Sequence, residues 1–191
     1  MTQKISSWIH HFSTKRVMLT SLLMMVAFMI FVLPGQAASS QLETGSTKSP
    51  DTSFFYTPAA LYQLAEDYGE EGRQAYITTR WTFDLIFPIV YAAFLSIGIS
   101  WFFKFLPGWP ENSVRANLLP ILASFFDYLE NTATSLVMAC YPKQSVLIPL
   151  LASASTLIKW ILVGLSFLVY FLFAGAAFIQ WIITLRRSKI K

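Results

Sequence analysis

The chain is predicted to be all-α: a polytopic transmembrane helical bundle of four spans with an external amphipathic helix. Three observations predict it. Apolar residues make up 55% of the 191, only 13% are charged, and mean hydropathy is +0.53; a soluble domain carries roughly 25% charge. Four apolar runs approach or exceed the about 20 helical residues that cross a hydrocarbon core of about 30 Å. Finally, Lys and Arg cluster at alternate ends of those runs, as orientation signals do.

Residues 1–16 read as a cytoplasmic basic tail with Lys4, Lys15 and Arg16. Span one is placed at 17–36, where Val17–Leu33 is closed by Pro34-Gly35. Two fates stand for it. It is a retained signal anchor, since its 17 apolar residues exceed the usual signal-peptide core of roughly 7–15. Alternatively it is a signal peptide, with Gly35 and Ala37 as the small residues before the cut.

Residues 37–57 follow as an external linker rich in Ser and Thr. An amphipathic helix over 58–80 comes next, also external. Thr57 is its predicted N-cap and Pro58 its first residue. Leu61, Leu64, Ala65 and Tyr68 share one face, with Glu66, Asp67, Glu70 and Glu71 turned away and an interruption around Gly69 and Gly72. It either plugs the external end of the bundle or forms an acidic lid over a site. Phe54-Phe55-Tyr56 ahead of it dip into the interface or pack on the bundle.

Residues 81–191 form a three-span bundle with a basic cytoplasmic C-terminus. Its spans run from about Trp81 to Phe103, Asn117 to Cys140 and Lys159 to Leu185. Trp81, Trp101, Trp109, Trp160 and Trp181 lie near span ends, where indoles favour the interface. Nine Lys/Arg (Lys4, Lys15, Arg16, Lys104, Arg115, Arg186, Arg187, Lys189, Lys191) fall on one side with only Glu111 as an acid. The other side receives Lys48, Arg73 and Lys143, with Arg80 and Lys159 at its membrane edge. Both termini are therefore expected in the cytoplasm, and the protein in the plasma membrane. The basic balance then reflects topology, so no nucleic-acid partner is expected.

Span three holds the candidate site. Two carboxylates and an amide in a crossing helix are costly, on the order of 2.5–3.5 kcal/mol per Asp on insertion scales. At 100° per residue, Pro120, Ala123, Asp127, Glu130, Asn131 and Thr134 share one stripe, while Phe125, Phe126, Leu129, Leu136 and Val137 mostly point elsewhere. In span two, Arg80 and Asp84 are an i, i+4 pair, and Pro88 and Tyr91 continue the face. In span four, Ser155, Thr156, Lys159, Ser166 and Tyr170 share a stripe, with Lys159 near the external boundary.

These side chains are expected to converge on one acidic pocket open to the outer face, binding a small polar or lipid-like ligand. Asp127 and Glu130 would hold the ligand or a proton, with Asn131 orienting them. Asp84 would be a second acid, and Lys159 and Arg80 counter-ions. The competing reading is a polar network that only holds helices together. Two acids three residues apart favour the first, because they repel unless a cation, proton or ligand lies between them.

Several chemistries drop out. His10 and His11, the only histidines, precede the first span, so no His-rich metal motif forms in the bundle. Two or three acids with Asn are a weak signature for Mg²⁺ or Ca²⁺, and no metal or cofactor is assigned. Cys140 is alone, which excludes paired-cysteine redox chemistry. A Ser–His–Asp triad is unavailable, a Ser–Lys pair stays formally open, and no catalytic residue is assigned. The partners are the bilayer and the ligand. Four spans are few for a monomeric transporter, so transport would call for a homo-oligomer.

The order FDYLEN, the preceding YGEEGRQAYITTRWTFDLIFP and the later TLIKW resembles a small family of bacterial four-span integral membrane proteins with no assigned activity. The resemblance covers roughly residues 51–191. It implies the bundle and carries no catalytic residue across.

Overall fold

The computed structural model describes residues 2–44, 49–50 and 53–188; Lys48, Lys189 and Lys191 lie outside them. Among the described residues there is no strand. Eight α-helices follow one another: α1 Thr2–Phe12, α2 Lys15–Ala27, α3 Leu33–Thr44, α4 Pro58–Asp67, α5 Gly69–Arg80, α6 Phe83–Phe103, α7 Leu119–Cys140 and α8 Leu147–Ser188. Three helical stretches are long and apolar enough to cross a membrane: Lys15–Gln36, Gly69–Phe103 and Leu147–Arg187. The 22-residue α7 is long enough, but carries Asp127, Glu130 and Asn131 mid-helix and is not among them.

The basic tail is itself structured. Ile5, Trp8 and Phe12 of α1 are exposed, while Ser6, Ile9 and Ser13 face inward. Asn117 Nδ2 donates to Ser6 O (3.0 Å) and to Ser100 Oγ (2.8 Å). Lys104 Nζ donates to Ser13 O at 2.8 Å. Two elements, α6 and the 3₁₀ segment Glu111–Leu118, thus hold α1. Thr14 caps α2, accepting from Val17 N at 3.4 Å.

The first apolar stretch ends at Gln36, close to where the sequence places it, but the helix does not stop at Pro34-Gly35. The backbone widens into a π-turn over Phe28–Val32, where Leu33 N–H reaches back to Phe28 O, and continues as α3 to Thr44. Proline removes one i→i−4 hydrogen bond and crowds the carbonyl four residues back; widening the preceding turn relieves that crowding. The first part of the expected linker is consequently helical.

Thr57 caps α4 as its sequence predicts, Oγ1 accepting from Ala60 N at 3.2 Å, with Pro58 opening the helix. The break between α4 and α5 falls at Gly69, whose φ of +63° suits glycine. Gly72 stays helical and buried. Tyr56, Leu61, Ala65, Tyr68 and Tyr76 pack on Ala133, Val137, Met138 and Ala152, so α4 and α5 sit against the α7–α8 hairpin. Val137 is therefore buried, contrary to its wheel position, because α4 and α5 cover a flank of α7 outside the polar stripe. Tyr62 clamps the loop after α7, its hydroxyl accepting from Ser145 N (2.7 Å) and donating to Ser145 O (3.2 Å). Of the aromatic triplet only Tyr56 is buried; Phe54 and Phe55 are exposed, though Phe54 lies against Trp160.

A second core joins α2, α6, α7 and α8 through Met18, Tyr91, Leu95, Ile99, Ala123, Tyr170 and Phe173. Gly98 admits the Tyr170 ring so closely that a Cβ there would collide with it. In a bilayer, where lipid tails are as apolar as these side chains, such a core would gain chiefly from close packing. Small residues and ring shape count for more there than transfer from water.

Candidate functional site

Helices α7 and α8 form an extensive hairpin that brings Asp127 and Glu130 against Lys159. Lys159 Nζ lies 2.5 Å from Glu130 Oε2 and 3.6 Å from Asp127 Oδ1. Helix α6 joins through Tyr91, whose hydroxyl donates to Asp127 Oδ2 at 3.1 Å. A continuous chain therefore runs Tyr91–Asp127–Lys159–Glu130 across three helices. Tyr128, one residue past Asp127, donates to Leu85 O at 2.7 Å and fixes α7 against α6 from its other flank.

The centre is enclosed. Glu130 is 0% exposed and Lys159 5%, while the Asp127 side chain keeps 13%. The expected α8 stripe is buried throughout: Ser155, Thr156, Lys159, Ser166 and Tyr170 all face inward. Lys159 does not stand at a helix end. It lies twelve residues into the 42-residue α8, about 18 Å from its start. The apolar segment before Lys159 continues the helix, which is why its N-terminal boundary lies earlier than charge placement suggests.

Arg80 and Asp84 form a second pair at 2.6 Å, with side chains 7% and 13% exposed. They straddle the bend between α5 and α6. Arg80 ends α5 and Asp84 lies in the first turn of α6, each placed favourably for the helix dipole. The Arg80 guanidinium also lies 4.7 Å from the centre of the Tyr76 ring.

Asn131, next to Glu130, is 2% exposed, and neither Oδ1 nor Nδ2 has a hydrogen-bond partner among the described residues. Ser155 Oγ, one turn before Lys159, and Ser135 Oγ, one turn after Asn131, share that condition. A buried polar atom left unsatisfied costs roughly 1–3 kcal/mol. Two carboxylates, one ammonium, an unsatisfied amide and two hydroxyls thus occupy adjacent turns of one hairpin. The three ionised groups alone sum to one negative charge. Among the described residues no three His, Cys, Asp or Glu side chains gather as metal ligands.

Tyr91 is the member that sequence reading placed only as part of a face. Its signal was positional: it lies seven residues after Asp84, two turns along the same stripe.

Compared with models of known protein families, with curated proteins and with solved structures, the chain matches none.

Proposed function

We propose that the chain is a four-span plasma-membrane protein, α7 being the fourth span, with both termini in the cytoplasm. In this reading it belongs to the small bacterial family that its motifs resemble. It binds a small polar or amphipathic ligand at the Asp127–Glu130–Lys159 centre, in the outer half of the bilayer. Asp127 and Glu130 contact the ligand's cationic or proton-donating group. Asn131 supplies both a donor and an acceptor, Lys159 is the counter-ion shared by the two acids, and Arg80 with Asp84 braces the adjoining bend.

The observation that carries this reading is the buried Asn131 amide with both ends unsatisfied beside an ion pair. A network serving only to hold helices together is stable when every member is satisfied; this one keeps its unsatisfied atoms where the charges are. The closed chain Tyr91–Asp127–Lys159–Glu130 favours the second reading, a non-catalytic assembly subunit.

Asn131→Leu separates the two. Thermal stability of the purified full chain in detergent is measured with phospholipids, Na⁺, Mg²⁺ and the polyamine spermidine, alongside wild type and Glu130→Gln. Binding predicts that Asn131→Leu keeps or raises the unliganded Tm, because an unsatisfied amide has gone, while a stabilisation seen in wild type disappears. An equal response of wild type and both variants to every addition would overturn the binding reading.

A further inference from the structure

A cavity of about 300 Å³ lies where α1 meets the end of α6 and the 3₁₀ segment, with Gln3, Ser6, Ser7, Glu111, Asn112 and Arg115 among its lining. It differs in character from the Lys159 centre. Its lining brings one cation, Arg115, and one anion, Glu111, into the same wall, and the two form no ion pair. Ser6 is 1% exposed, and its Oγ has no hydrogen-bond partner among the described residues. The Oδ1 of the fully buried Asn117, which holds Ser6 O, has none either.

The opposite face of α1 carries Ile5 (41% exposed), Trp8 (66%) and Phe12 (52%), with Trp8 stacked on Phe12 at 5.6 Å. Two residues after α1 ends, the apolar stretch Lys15–Gln36 begins. Where Lys15–Gln36 crosses a bilayer, a helix joined so closely to it, with aromatic and aliphatic side chains outward, would lie in the interfacial plane. Its inward polar face, and the cavity with it, would then stand near headgroup depth.

We propose that this cavity binds the headgroup of a zwitterionic phospholipid with a primary ammonium, of the phosphoethanolamine type. Arg115 takes the phosphate, helped by the Ser6 and Ser7 hydroxyls and the Gln3 and Asn112 amides. Glu111 takes the ammonium. Along a 3₁₀ segment four residues rise about 8 Å, so the two charges approach the ligand from separate points of the wall. A purely anionic headgroup would leave Glu111 facing like charge.

The test reconstitutes the full chain in nanodiscs holding equal phosphatidylethanolamine and phosphatidylglycerol, and counts retained lipids by native mass spectrometry. Wild type is expected to retain phosphatidylethanolamine preferentially. Glu111→Gln should lower that preference about two- to fivefold and Arg115→Gln should weaken retention of both lipids, as partly exposed charge contacts allow. Both residues are exposed, so folding is expected to survive. No preference in wild type, or a preference intact in both variants, overturns the proposal. Stabilisation in detergent by soluble phosphoethanolamine as strong as by the lipid keeps the headgroup chemistry but overturns its membrane source.

Discussion

Lys159 holds two carboxylates of the neighbouring helix, and removing it strands both in a dry environment. Lys159→Met is therefore expected to cost about 3–5 kcal/mol in unfolding free energy, the range for breaking a buried pair from one side. Adding Glu130→Gln to Lys159→Met should recover a substantial part, because the deepest uncompensated charge is then gone. Unfolding titrations of both singles and the double give the coupling directly, and additive losses would mean that the pair does not interact. His10 supplies the pH dependence. Desolvation by burial lowers its pKa most, the Lys104 charge next and His11 least, against a hydrogen bond to Ser100 O at 3.2 Å that favours the protonated ring. A histidine with a lowered folded-state pKa contributes stability that is full above its ordinary 6.5 and is lost as pH falls through the folded-state value. Docking of α1 should thus loosen on acidification below about 6.5, read as faster amide hydrogen exchange across α1, and His10→Gln should abolish the trend. At this scale the sequence already pointed at Asp127, Glu130 and Lys159, because charge in an apolar run is conspicuous. Asn117 and Ser6 were silent, since their importance lies in a contact 111 residues long in sequence.

Among helices, close approach decides the packing. Gly98 on α6 faces the Tyr170 ring of α8, which is itself held by Phe94, Phe102 and Phe171 at centroid distances of 5.2, 5.3 and 5.5 Å. The ring has little room to retreat. Gly98→Ala is expected to cost about 1–3 kcal/mol, the usual range for overpacking, and Gly98→Ala with Tyr170→Leu should lose less; thermal unfolding of the two variants checks it. Periodicity made α4 legible to its first residue, as Thr57-Pro58 is a strong start signal. The same reasoning missed α1, although Ile5, Trp8, Ile9 and Phe12 recur at helical spacing, because a short basic tail reads first as a topology signal. It also ended the first helix with its apolar run at Pro34, where a π-turn let the helix pass. Local rules name the obstacle; whether a chain goes round it depends on the turn before.

For the whole molecule the exposed Cys140 is a built-in reporter, being the only cysteine in the chain. With four spans and both termini inside, a membrane-impermeant maleimide should label it in intact cells. Labelling only after lysis would remove α7 from the count of spans or reverse the topology. Composition made the helical, membrane-compatible class plain, while the length of the last helix was hidden, since charge marks a boundary at Lys159 that the backbone ignores. Its 42 residues extend about 63 Å, twice a hydrocarbon core of about 30 Å, and even a tilt of about 40° leaves a large excess. A bilayer can accordingly seat on more than one stretch of α8. In a bilayer the helix would be a ruler with a charge fixed at one graduation, and the thickness of the surrounding lipid would select how far below the waterline that charge and its two acids are read.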